Sequence, residues 1–100
     1  MSTRVSTPTG TYAGGTAANG CREFKGIRYA TAGRFEAPVT VETDGGEIDA
    51  TSWGKIAHQT PGFLESNDGF GPDDMSEDCH FLNIWTPAGA TEGASLPVLF

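Results

Sequence analysis

One hundred residues allow one small domain. Thirteen Asp and Glu stand against six Lys and Arg, which excludes a nucleic-acid surface because phosphate binding needs a basic face. The same balance argues against an anionic membrane surface, and no apolar run is long enough to insert into one.

The start of the chain, Met1 to Pro8, carries a single charge and no apolar stretch, so it does not read as a secretory leader. Two situations fit: a cytoplasmic protein, which is the expectation, or a chain written without its leader. Pro8-Thr9-Gly10 is a turn signal ahead of a short β segment, Thr11-Tyr12-Ala13, and Ala18-Asn19-Gly20 supplies a hairpin-type turn. Arg22 to Tyr29 predicts the next strand, with Phe24 on one face and Lys25 on the other. Asp44-Gly45-Gly46 is a further turn, followed by a short extended piece from Glu47 to Ala50. Ser52 to Ala57 supports a single helical turn at most, and no helix of length is expected. The strongest strand prediction runs from His80 to Trp85. Its nearly continuous apolar run, bounded by a turn and by Pro87, suits a strand covered on both faces. Leu96-Pro97-Val98-Leu99-Phe100 reads as another strand entering a core.

Residues 60 to 78 differ from the rest. Gly62, Gly69, Gly71 and Pro72 break regular structure, and six acids occur with no base among them. Phe63, Leu64, Phe70 and Met75 offer apolar anchors, so a packed surface loop is expected rather than a free tail. Cys21 and Cys79 do not make a disulfide framework and are expected as reduced thiols.

Several chemistries fail on residue arithmetic. Asp78, Cys79 and His80 are consecutive, and strand neighbours point to opposite faces, so they do not converge on a metal or form a Cys–His dyad. His58 adds no CxxC or HxxxH spacing. The acids around Asn67-Asp68-Gly69 lack the alternation and closing glutamate of an EF-hand. Asp73 and Asp74 sit side by side in a polar loop with nothing to raise either pKa for acid–base work. No metal and no cofactor are therefore expected.

The run from Glu77 to Pro87, Glu-Asp-Cys-His-Phe-Leu-Asn-Ile-Trp-Thr-Pro after Ser76, resembles the SEDCLxLNxWxP signature of the type-B carboxylesterase family. Phe24 to Ala30 resembles that family's FxGIPYA strand, with Arg28 in place of proline, an exchange that restores a backbone donor and adds charge. Arg34-Phe35 with Pro38 resembles its RFxxP segment. Asp49-Ala50-Thr51-Ser52-Trp53-Gly54 with Gln59 resembles its DATxFG…Q stretch. Each is weak alone; four in the right order are specific.

The resemblance implies an α/β fold, the α/β-hydrolase. Residues 1–100 would form its N-terminal, mostly antiparallel β edge plus the long acidic loop, ending before the oxyanion-hole loop and the nucleophile elbow. It implies a serine carboxylesterase acting on small-molecule esters. It implies no catalytic residue here, since no GxSxG occurs and neither His58 nor His80 stands where the triad histidine belongs. It implies a salt bridge between Arg34 and Glu77, and a place for Phe70 at the substrate gorge, beside the simpler expectation that Phe70 anchors the loop. The family's partner for the cysteine matched by Cys79 falls on Ala57, so Cys79 is expected without its usual disulfide and in a structural role. His80 stands where leucine is usual. The segment is expected to require the rest of its own chain to complete the fold, and a bacterial source is expected. Two other readings stay open: a non-catalytic esterase-like binding or adhesion protein, and a free-standing β domain with a binding role.

Overall fold

The computed structural model describes residues 3–41, 45–60, 62, 69 and 71–100. The first hairpin pairs β1, Arg4–Thr7, with β2, Gly10–Ala13, antiparallel through a two-residue loop at Pro8 and Thr9. The chain then turns at Gly14, where a β-carbon would stand 2.4 Å from the Glu23 carbonyl oxygen and 2.6 Å from the Phe24 ring. Only glycine lets the corner lie this close to the next strand.

Beyond the corner, β3 (Gly15–Thr16) pairs antiparallel with β4 (Arg22–Arg28). The turn between them is closed by Ala17 and Cys21, and the Asn19 side-chain oxygen accepts the Cys21 N–H. A short hairpin of β5 (Ala30–Thr31) and β6 (Val39–Thr40) follows. Next, β7 (Glu47–Asp49) runs parallel to β2, and β8 (Phe81–Thr86) runs antiparallel to β4. The sheets are thus β1-β2-β7, β3-β4-β8 and β5-β6. Among the described residues the only helical element is a single 3-10 turn at Pro72–Asp74, started by a proline whose missing N–H costs nothing at that position.

One segment joins the two larger sheets. Ala50 donates its N–H to Ala13 and accepts from Lys25 N–H, both at 2.8 Å. Asp49 shapes this crossing. Its Oδ1 accepts the Thr51 N–H at 3.0 Å and the Thr51 hydroxyl at 2.5 Å, an Asx-type bend. The small side chain of Ala50 is fully buried there, which explains why the Asp-Ala-Thr sequence suits the crossing.

The core is small. Phe24, Ala30 and Ala50 are the buried apolar residues among those described. The accessible surface is 7321 Å², whereas a folded monomer of this mass presents about 5,400 Å². The radius of gyration is 15.1 Å, against about 13 Å for a self-contained domain of this length.

Two expectations are corrected. Leu96 to Phe100 forms no strand and is exposed, with Leu99 and Phe100 almost completely so. An extended segment becomes a strand only when a neighbour takes up its N–H and C=O groups, and none of the described strands does. The expected strand at His80 to Trp85 exists as β8, but it is not covered on both faces. Among the described strands it pairs with β4 alone, and Ile84 and Trp85 are 43% and 51% exposed. With Arg28 in place of the family's proline, β4 runs through Arg28, opposite Phe81.

Candidate functional site

The β4–β8 ladder contains a bulge. Phe24 pairs with Ile84 and Ile27 with Leu82, so Lys25 and Gly26 together face Asn83. Gly26 takes φ +67°, and its N–H is satisfied by the Asn83 side-chain oxygen at 2.9 Å. A β-carbon on Gly26 would meet the Ser52 carbonyl oxygen at 2.4 Å. At the bulge the Lys25 backbone bridges Thr51 in parallel, which draws residues 51–54 across the sheet. Gly54 lies on the Phe81 ring, within 2.3 Å of where its β-carbon would be.

This stacking leaves an open cleft of about 590 Å³ between Trp53–Ile56, Asp74 and the Phe81 and Asn83 side chains of β8. Its polar groups are already engaged. Asp74 accepts the Gly71 N–H at 2.9 Å, and Lys55 Nζ donates to the Asp73 carbonyl at 2.6 Å. Among the described residues no serine, cysteine or histidine lines it, and its apolar walls can hold an apolar group by area burial.

Its acidic wall is fastened at the base. Ile56 donates its N–H to Asp74 and accepts from Ser76, at 2.8 and 2.9 Å. Arg34 Nη1 donates to Glu77 Oε1 at 2.9 Å, with both side chains more than half exposed. Arg28 pairs with the next acid, Asp78, and its guanidinium also lies 4.5 Å from the centre of the Phe81 ring. The hydrogen bond from Arg28 holds the Asp78 carboxyl below the usual carboxylate range, and the Arg28 pKa rises for the same reason. Asp49 is lowered too, chiefly by the Thr51 hydroxyl.

A second cluster adjoins the cleft at Trp53, and its Trp85 shares the β8 face of Phe81 and Asn83. Trp85 Nε1 donates to Glu23 Oε2 at 3.2 Å, Lys25 Nζ is 3.4 Å from Glu23 Oε1, and the same ammonium sits 4.5 Å over the Trp53 ring. Trp53 and Trp85 lie 6.0 Å apart, tilted by 51°.

Of the residues singled out in the sequence, Arg34 and Glu77 meet. Cys79 is a free thiol, half-buried, as is Cys21. Phe70 lies outside the described residues. His80 packs edge-on to Tyr29 at 6.0 Å, and His58 is exposed. Among the described residues no three His, Cys, Asp or Glu side chains form a metal-binding group, and no helix is long and apolar enough to cross a membrane. Two features escaped sequence reasoning. Arg28–Asp78 left no signal beyond an arginine at a proline position. Asn83 left one: an asparagine inside an apolar strand is out of place unless its side chain serves the backbone.

The comparisons agree with this geometry. The carboxylesterase family model matches residues 1–100. A para-nitrobenzyl esterase of Bacillus subtilis is 36% identical over 89 residues, covering 85% of this chain and 18% of that protein. A cocaine esterase of Homo sapiens is 37% identical over 90 residues, covering 80% of this chain and 16% of that protein. Among solved structures, a PNB esterase superposes with a TM-score of 0.70 at 34% identity, covering 85% of this chain and 18% of that one. Aspergillus niger EstA superposes with a TM-score of 0.70 at 32% identity, covering 90% and 17%. The chain thus spans less than a fifth of the length of these proteins.

Proposed function

The chain belongs to the carboxylesterase family, and from that membership we propose that it is the N-terminal part of a serine carboxylesterase with an α/β-hydrolase fold. The whole protein would hydrolyse small-molecule carboxylic esters through an acyl-enzyme. Its nucleophile would be a serine on a strand-to-helix elbow, assisted by a histidine and an acid. Backbone N–H groups would stabilise the tetrahedral oxyanion. All of these would lie outside residues 1–100.

Within that enzyme the present segment is structural. It builds the antiparallel edge of the sheet and part of the rim of the substrate gorge. The observation that carries this reading is the backbone match to a para-nitrobenzyl-type esterase at 34% identity and a TM-score of 0.70, in a segment whose cleft is lined by no serine, cysteine or histidine among the described residues. The outer edge of β8, unpaired among the described residues, and the exposed apolar side chains from Leu96 to Phe100 support it. Both are surfaces that later strands and helices would cover. In this reading Phe70 lines the gorge and buries part of the acyl or alcohol group against its ring. Arg34 and Glu77 fasten the loop that carries it, and Cys79 packs without a disulfide.

The test uses the full-length protein with a para-nitrophenyl ester and a serine-directed fluorophosphonate. Hydrolysis together with stoichiometric labelling of a serine beyond residue 100 is the expected result. A full-length protein that hydrolyses no ester and takes up no label would overturn it.

A further inference from the structure

Resting on the ester-hydrolase reading, we propose that Arg28 is a positioning residue. It holds the Asp78 end of the acidic segment against β4 and β8, and thereby sets the cleft wall that contains Asp74.

The geometry is specific to this pair. Arg28 closes β4 directly opposite Phe81. Its guanidinium is confined between the Phe81 ring, 4.5 Å from the centroid, and the Asp78 carboxylate. A guanidinium already resting on an aromatic face has lost much of its freedom before the ion pair forms, so the pair loses less entropy than a free surface pair does. Asp78 is three residues ahead of Phe81, and Phe81 is itself a wall of the cleft. One side chain therefore touches both the acidic segment and the strand that the segment faces.

The remaining fastenings of that segment act elsewhere. Ile56 and Lys55 hold it at Asp73, Asp74 and Ser76. Arg34 holds Glu77 from the link between β5 and β6. Arg28 joins the segment to the β4–β8 ladder through its side chain, and Tyr29 N–H to the His80 carbonyl, at 3.1 Å, continues the same seam through the backbone. Releasing Arg28 would leave the backbone seam closed while freeing the carboxylate that stands next to it. The predicted consequence is a displaced wall, not an unfolded sheet.

Two readouts on the full-length protein separate positioning from bulk stability. The first is amide hydrogen exchange of the peptide spanning residues 74–82, which does not depend on activity. Arg28→Ala and Asp78→Asn should each speed exchange there by roughly two- to fivefold, the size of a partly exposed ion pair. Arg28→Lys should recover part of the protection, and the charge-swapped Arg28→Asp/Asp78→Arg should exchange more slowly than either of its single substitutions. The second is steady-state hydrolysis of a para-nitrophenyl ester, where Arg28→Ala should raise KM by a similar factor and leave kcat unchanged.

Exchange in Arg28→Ala equal to wild type would overturn the proposal, as would faster exchange with an unaltered KM, which would leave the pair a fold contact only. If the wild-type protein hydrolyses no ester, the esterase reading fails, and the positioning of this wall for a substrate falls with it. The exchange data would then still report whether the Arg28 tether exists.

Discussion

At Gly26 the backbone takes φ +67°, and a β-carbon there would stand 2.4 Å from the Ser52 carbonyl oxygen. Both conditions exclude other residues, and Gly26→Ala is expected to cost roughly 2–4 kcal/mol in urea denaturation of the full-length protein. Asn83 serves the same bulge from the opposite strand. Asn83→Ala leaves the Gly26 N–H without its side-chain acceptor and should cost about 1 kcal/mol, whereas a strand residue chosen only for packing would tolerate the change. The Arg34–Glu77 pair is exposed on both sides, so Glu77→Ala should shift stability by no more than about 1 kcal/mol. A larger loss would mean that the pair is buried in the complete protein. Asp78 titrates below its ordinary range because Arg28 donates to its charged form. A depressed carboxylate contributes stability above its unfolded pKa and loses it as pH falls through the folded one. The difference in stability between wild type and Asp78→Asn should therefore be constant near neutral pH and close below about pH 4. A difference that persists unchanged into acid would contradict the ion pair.

At the scale of elements, local pattern and long-range pairing divide what the sequence discloses. Turn chemistry placed the Pro8–Gly10 and Ala18–Gly20 turns, and apolar content placed β4 and β8, because these signals are local. The strand β1 went unseen, since Arg4-Val5-Ser6-Thr7 has one aliphatic side chain and forms only because β2 folds back on it. The two-residue strands β3, β5 and β6 are too short to carry a period. Leu96 to Phe100 has the composition of a strand and is not one here, because composition supplies faces but not a partner edge. The site divides in the same way. Arg34 and Glu77 were legible through their motifs, while Arg28–Asp78, fifty positions apart, needed the β4–β8 register to bring them together. Trp53 and Trp85 mark the exposed side of this ladder, each 51% exposed. In residues 1–100 alone, acrylamide should quench both indoles readily. In the full-length protein β8 should be covered and Trp85 protected, and equal quenching in both would deny that later elements pack on this strand.

For the molecule as a whole, the three buried apolar side chains among the described residues make a small core to set against the ordering of the chain. The surface stands about a third above that of a self-contained domain. Residues 1–100 in isolation are thus expected to aggregate or to melt without a cooperative transition. A sharp, reversible melt of that segment would favour a free-standing β domain instead. The covering layers would come from the remainder of an α/β-hydrolase, which would also bring the nucleophile. The most direct measurement is fluorophosphonate labelling of the full-length protein and of residues 1–100 in parallel, with the modified peptide identified by mass. The account predicts one labelled serine, beyond residue 100, and an unlabelled short segment. A labelled residue within the first hundred, or ester hydrolysis by the short segment alone, would contradict it.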